Sequence, residues 1–309
     1  MKYVSYRTPA GELVRVGMLD GSTVVDVGFD GDMVAFISQS APVGRTQAVP
    51  DAQLVAPIRP PTLRDFLAFE GHLRNAFAGL GKEIPDEWFH VPAYYKGIPS
   101  TIIGPNVEIP WPTYSDRLDH ELELAVVIGR PGRDITASAA LDHVFGFTLW
   151  NDLSARDVQM RELPVGMGPG KAKDWDGSNV LGPCIVTIDE LDPLAIEMEV
   201  RVNDELWGRD TSANMRFSFS ELIEYASRDL TLYPGEVLGS GTSTNGSGVE
   251  LDRWLAPGDV IELSSPQIGV LRNWIGPRPS GAARNIEVGH ADTLADAVPT
   301  RLPDLSDEQ

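Results

Sequence analysis

The stretch that most constrains this chain is Leu118-Asp119-His120-Glu121-Leu122-Glu123-Leu124-Ala125-Val126-Val127-Ile128-Gly129. Glu121, Glu123 and Ala125 share one parity; Leu122, Leu124 and Val126 share the other. Successive side chains of a β-strand point to opposite faces, so Glu121 and Glu123 project from one face, about 7 Å apart along the strand. The Ala-Val-Val-Ile run is apolar on both parities and predicts a strand buried on both faces. Two carboxylates at the mouth of such a strand repel each other and are costly to desolvate. A hard divalent cation offsets both costs. The motif alone fits equally a strand end with one face in water, where the glutamates need no cation.

With 309 residues, 42% of them hydrophobic, the chain can bury a sizeable core as one large domain or as a main domain plus a small one. The formal net charge of -20 argues against a nucleic-acid partner or an anionic membrane surface. A small anionic substrate stays admissible, because one metal and a few cations reverse the sign locally. The single Cys184 excludes an intramolecular disulfide framework. The opening residues lack the apolar core of a signal peptide, and no apolar run reaches about 18 residues, so a soluble cytoplasmic protein is expected.

Residues 1–57 read as a small N-terminal α/β domain. Leu13–Leu19 and Ser22–Val27 flank an Asp20-Gly21 turn as a hairpin, and a helix is predicted around 33–39. The Pro57-Ile58-Arg59-Pro60-Pro61 cluster marks a linker. The main domain is expected over 62–280. Its first segment has helical spacing at Phe66, Phe69 and Leu73, with Thr62 as the N-cap, which places Asp65, Glu70 and His72 on a solvated helix face when that segment is read alone. An aromatic-rich loop follows at Trp88–Gly97. From Glu108 the pattern is β-dominated, with strands predicted at 122–128, 144–149, 184–188, 196–202, 237–239 and 260–263 and short helices near 137–142, 155–160 and 219–228. An acidic tail occupies 285–309.

A further block, Gly146-Phe147-Thr148-Leu149-Trp150-Asn151-Asp152-Leu153-Ser154-Ala155-Arg156-Asp157-Val158-Gln159, puts a carboxylate at a strand end just before a short helix. Arg156 and Gln159, three apart, share a helical face. Gly170-Lys171-Ala172-Lys173-Asp174, Gly239-Ser240-Gly241-Thr242-Ser243 and Pro257-Gly258-Asp259-Val260 follow. In this order the motifs resemble the fumarylacetoacetate hydrolase family, from about Thr62 to Asn273. The resemblance implies mixed β-sheets rolled around a metal site and a homodimer. It matches Glu121, Glu123 and Asp152 to carboxylate ligands of one divalent cation, Mg²⁺ or Mn²⁺ with Ca²⁺ as a further candidate, and implies no organic cofactor. Asp65 matches a fourth ligand that many smaller relatives lack. His72 matches the catalytic histidine, Lys173, Arg156 and Gln159 match substrate and transition-state contacts, and Tyr95 and Thr242 match substrate-binding positions.

The chain departs from the family at the partner of its histidine. Val260 stands where the eponymous hydrolase has the glutamate that orients it, and Asn75 stands where smaller relatives carry a glutamate three residues on. Glu70 or Glu262 is the expected substitute. Glu70 can serve only if the backbone at 70–72 is not helical, because i and i+2 side chains diverge on a helix.

The implied reaction is metal-dependent C–C hydrolysis of a small anionic 1,3-diketone or acylpyruvate, as in the breakdown of aromatic-ring fission products. The cation would polarise a carbonyl while His72 activates water. Two readings stay beside it. One is a β-keto acid decarboxylase, or a sugar-acid lyase or dehydratase, on the same scaffold, which needs no activated water. The other is a non-catalytic metal-stabilised binding module.

Overall fold

A computed structural model describes residues 1–280 apart from 9, 10, 12, 45, 46 and 80. The acidic segment 285–309 lies outside the described residues. Leu122–Ile128 forms a strand whose residues are all buried. It is an inner strand of a 12-stranded sheet. On one side it pairs with Val144–Asp152, which pairs with Asn179–Thr187 and that in turn with Lys2–Arg7. On the other side come Val237–Gly239, then Leu63–Phe66 in parallel, then Tyr94–Gly97. A second sheet of five strands runs Glu205–Thr211, Glu197–Val202, Val260–Ser265, Gly269–Ile275 and Glu108–Ile109. The result is a β-dominated fold with mixed sheets and a minority of helices, among the described residues α1 (Met33–Ser38), α2 (Glu70–Gly79), α3 (Arg156–Glu162), α4 (Phe219–Ser227) and α5 (Gly248–Leu251).

The strand's two parities feed two cores. Leu122, Leu124 and Val126 join a cluster with Val200, Leu263 and Leu271 of the second sheet. Ala125 and Val127 join another with Val16, Met33, Phe36 and Ile37 of the N-terminal residues. Each large apolar side chain so buried stabilises the fold by roughly 1.5–3 kcal/mol. Glu121 and Glu123 share the parity of Ala125 and Val127. They therefore lie on the face that the N-terminal residues cover farther along.

Residues 1–57 contain the expected hairpin, Arg15–Asp20 with Thr23–Asp26, turned by Gly21 at φ 58°. Helix α1, Met33–Ser38, is capped by the Asp32 side chain, which accepts from the Ala35 amide at 2.8 Å. These strands continue the main sheet, with Lys2 opposite Val186 and Tyr3 opposite Ile185. Among the described residues no helix is long and apolar enough to cross a membrane.

The segment from Thr62 corrects the sequence reading. Leu63–Phe66 is a strand with all four residues buried, and helix α2 runs only from Glu70 to Gly79. Strand pairing on both edges outweighs local helical spacing here; that spacing is real from Phe69 onward. The condition for Glu70 to serve His72, non-helical backbone at 70–72, is not met, since both residues lie within α2.

Gly239 shows how tightly these strands meet. A Cβ there would press into the Trp150 ring and against Asp65 Oδ1, both closer than van der Waals contact allows. Gly239→Ala is predicted to cost about 1–3 kcal/mol by overpacking, read as a shift in the denaturation midpoint. A loss below about 0.5 kcal/mol would mean the neighbours yield freely.

Candidate active site

The site forms where three strand ends converge. Asp65 pairs in register with Tyr95 on one side and Gly239 on the other. Glu123 lies opposite Trp150, and Asp152 ends the Val144–Asp152 strand. One carboxylate oxygen from each of Asp65, Glu123 and Asp152 lies within 4.8 Å of the others, and all three residues are buried. The Gly241 amide donates to Asp65 Oδ1 at 3.0 Å, and Tyr95 Oη donates to Asp152 Oδ2 at 2.6 Å. Thr242, also buried, comes one residue after Gly241.

Glu121 falls outside this three-carboxylate group. Its oxygens face Lys173 Nζ at 2.5 Å and Arg156 Nη2 at 2.7 Å. Lys173 also pairs with Asp152. Asp65, expected only as a fourth ligand, is therefore one of the three acids that meet. Arg156 donates from Nε to Asp119 Oδ2 at 2.8 Å and from Nη1 to Gln159 Oε1 at 2.8 Å, while Nη2 lies 2.7 Å from Glu121 as an ion pair without hydrogen-bond geometry.

The charges do not balance. Asp65, Asp119, Glu121, Glu123 and Asp152 carry five negative charges when ionised, against one each on Lys173 and Arg156, so three are uncompensated. The pKa shifts locate that excess. Burial, with Lys173 and Arg156 outweighing it, holds Glu121 below the ordinary carboxylate range. Burial and then the neighbouring carboxylates push Asp65 and Glu123 well up. Burial carries Asp152 up to about 6 despite Lys173. Burial and Asp152 likewise raise the Tyr95 phenol, whereas Asp152 and Glu121 outweigh burial and raise Lys173.

Glu123 Oε1 and Oε2 and Asp152 Oδ1 are buried with no hydrogen-bond partner among the described residues. Native interiors seldom leave such oxygens unpaired. Three hard oxygen donors with uncompensated charge fit a divalent cation of the Mg²⁺, Mn²⁺ or Ca²⁺ kind. Asp65, Glu123 and Asp152 are the residues that would hold it.

The carboxylate that approaches His72 is that of Glu250, a residue the sequence did not single out. His72 Nδ1 lies 3.0 Å from Glu250 Oε2 in a bent contact, with the Glu250 side chain fully buried. Glu250 also accepts from the Asn245 amide at 2.9 Å, the Ser247 hydroxyl at 2.8 Å and Asn75 Nδ2 at 3.1 Å. Burial raises its pKa, but His72, then the Asn245 amide and the Ser247 hydroxyl, outweigh burial and lower it. Asn75 therefore holds the acid in place instead of supplying one. Glu70 points away, pairing with Arg74 on the exposed side of α2, so its expected role with His72 is not borne out. Glu262 pairs instead with Arg272. The one sequence signal for Glu250 was Ser247-Gly248-Val249-Glu250, a capping pattern that opens helix α5, Gly248–Leu251. It marks a helix start but not a contact with a distant histidine.

The family profile described as "Fumarylacetoacetate (FAA) hydrolase C-terminal" matches residues 62–275. The oxaloacetate tautomerase YisK of Bacillus subtilis (strain 168) is 34% identical over 231 residues, covering 73% of this chain and 74% of its own length. A solved fumarylacetoacetate hydrolase from psychrophilic Exiguobacterium antarcticum aligns with a TM-score of 0.75 at 30% identity, covering 90% of this chain and 100% of that one. A 5-carboxymethyl-2-hydroxymuconate delta-isomerase from Mycobacterium smegmatis aligns at 0.72 and 28% identity, over 90% of this chain and 100% of that one.

The raised acids set a pH dependence. A carboxyl whose folded pKa is raised favours the metal-free fold while protonated, and that contribution is lost as pH rises through the folded value, about 6 for Asp152. A cation that replaces those protons binds more tightly as they leave. The rise in Tm caused by Mn²⁺ is predicted to be larger at pH 7.5 than at pH 5.5 and to vanish in Glu123→Ala. An equal rise at both pH values, or one that survives Glu123→Ala, would contradict the assignment.

Proposed function

Because this chain belongs to the fumarylacetoacetate hydrolase family, we propose that it is a divalent-cation-dependent enzyme that hydrolyses a C–C bond in a small anionic 1,3-diketone or acylpyruvate. The observation that carries this reading is the contact between His72 and Glu250. Hydrolysis needs an oriented base, and Val260 and Asn75 had left that base without its expected partner. With Glu250 on Nδ1, the imidazole presents Nε2 as the atom that takes a proton from water. When bound, the cation would supply Lewis-acid polarisation of a substrate carbonyl. Lys173 would offset oxyanion charge beside the three acids, and Tyr95 would fix Asp152 through its hydroxyl. Arg156, hydrogen-bonded to Asp119 and Gln159 and ion-paired to Glu121, would position Glu121 and Gln159 rather than reach the substrate. A homodimer belongs to the same proposal, and a monomeric mass in solution at micromolar concentration would remove it.

A second reading, keto–enol isomerisation of a 2-keto acid, is favoured by the 34% identity to an oxaloacetate tautomerase and by the isomerase among the structural relatives. In that reading His72 moves a proton to or from carbon instead of activating water. The decarboxylase and lyase readings drew their appeal from a missing base, and the Glu250 contact weakens that argument.

A panel of acylpyruvates and oxaloacetate with Mn²⁺, followed by diketone absorbance, enol absorbance and CO₂ release, separates these reactions. Loss of diketone absorbance with formation of a carboxylic acid supports hydrolysis; enol–keto exchange alone supports the isomerase. His72→Ala is predicted to lower turnover by about 10²–10⁴-fold, the usual worth of general-base catalysis. Glu250→Gln should cost roughly 10–100-fold, as orienting partners do. Mn²⁺ affinity should stay nearly unchanged in both. Near wild-type hydrolysis by His72→Ala would place the base elsewhere.

A further inference from the structure

Asp119 lies two residues before Glu121, is fully buried, and has no role in the chemistry above. Its carboxylate is filled by three donors. Oδ1 accepts from the Gly248 amide at 2.7 Å. Oδ2 accepts from the Val249 amide at 3.1 Å and from Arg156 Nε at 2.8 Å. The first two donors open α5, the four-residue turn that presents Glu250 to His72. The third belongs to the guanidinium that faces Glu121 at 2.7 Å. One carboxylate thus touches both halves of the site. From one side it fixes the turn that carries the acid of the dyad. From the other it fixes the arginine beside the metal-site acids.

The surroundings leave this carboxylate little freedom. The Asp119 backbone pairs with Ser154, next to the start of the helix α3, Arg156–Glu162. The Leu255 amide donates to Leu118 O at 3.2 Å, holding the chain just beyond α5 to the same strand. A Cβ at Gly248 would press on Asp119 Oδ1 and on the Arg253 carbonyl, so only glycine lets the turn sit this close. A buried charge with three donors is costly to disturb, because removing it strands each donor.

We infer that Asp119 is a positioning residue that locks the Glu250 turn and Arg156 into one register, so that the His72–Glu250 dyad and the carboxylate cluster keep a fixed separation. The inference rests on the proposed role of the dyad, but its structural part can be measured without turnover.

The test uses the full chain and the variants Asp119→Asn, Glu250→Gln and the double substitution. Turnover with Mn²⁺ is measured alongside peptide-level hydrogen exchange. Asp119→Asn is expected to lower kcat about 10²-fold, with KM changed less than about threefold, because it acts through groups that position the chemistry. In the Glu250→Gln background it should cost clearly less than in the parent, since the part of its effect that runs through the Glu250 turn is already lost there and only the Arg156 side remains. Exchange across 245–252 should quicken while that of the Leu122–Ile128 strand stays the same. Simple multiplication of the two losses, or an Asp119→Asn kcat within about threefold of the parent, overturns the inference. Unchanged exchange across 245–252 overturns it equally. If Asp119→Asn does not fold, Gly248→Ala strains the same contact from the turn side, with the same readouts deciding. If the parent chain turns over none of the panel substrates, the proposed function falls, and the exchange measurement alone decides the role of Asp119.

Discussion

The interaction on which the rest of this structure depends is the repulsion among Asp65, Glu123 and Asp152, three acids held in the interior with too little positive charge to balance them. No close-packed core keeps such a group for stability, because unpaired buried charge is costly and the groups protonate instead. Lys173 and Arg156 compensate Glu121 and Asp119 and keep Glu121 ionised. Asp65, Glu123 and Asp152, the last relieved in part by Lys173, carry the rest, and burial with their mutual repulsion pushes all three upward. Such a triad could bind a doubly charged, oxygen-seeking ion in place of protons.

The fold keeps these acids together by spreading them over strands remote in sequence. Asp65 comes from Leu63–Phe66, Glu123 from Leu122–Ile128 and Asp152 from Val144–Asp152, all within one sheet. Bare backbone at Gly239 and Gly241 lets neighbours approach closely enough for Asp65 to join. The second centre, His72 with Glu250, forms where α2 meets the short α5, and Asn75 and the Ser247 hydroxyl keep the acid in place. Membership of the fumarylacetoacetate hydrolase family is consistent with both centres. The chain's relatives are named as hydrolase, isomerase and tautomerase.

Much of this was legible in the residues. Alternating parity with an apolar run placed Leu122–Ile128 to the residue, because a strand buried on both faces has little freedom in what it can be. The carboxylates Glu121, Glu123 and Asp152 and the cations Lys173 and Arg156 were all singled out by motif. Asp65 was misread as helical, because Phe66, Phe69 and Leu73 have helical spacing while the strand partners that decide its fate, Val237–Gly239 and Tyr94–Gly97, are far away in sequence. Glu250 was invisible for a related reason. Its value lies in a contact between residues far apart in sequence, whereas Glu70, two residues before His72, is turned outward by the helix that carries both.

Binding of a divalent cation by Asp65, Glu123 and Asp152 would displace the protons that their mutual repulsion favours. Calorimetric titration with Mn²⁺ at pH 6.5, repeated in buffers of different ionisation enthalpy, counts the protons exchanged on binding. The account predicts one site per chain and a net release of about one proton or more, because ligating carboxylates must ionise. Binding with no proton release, or release unchanged after Glu123→Ala, would contradict it.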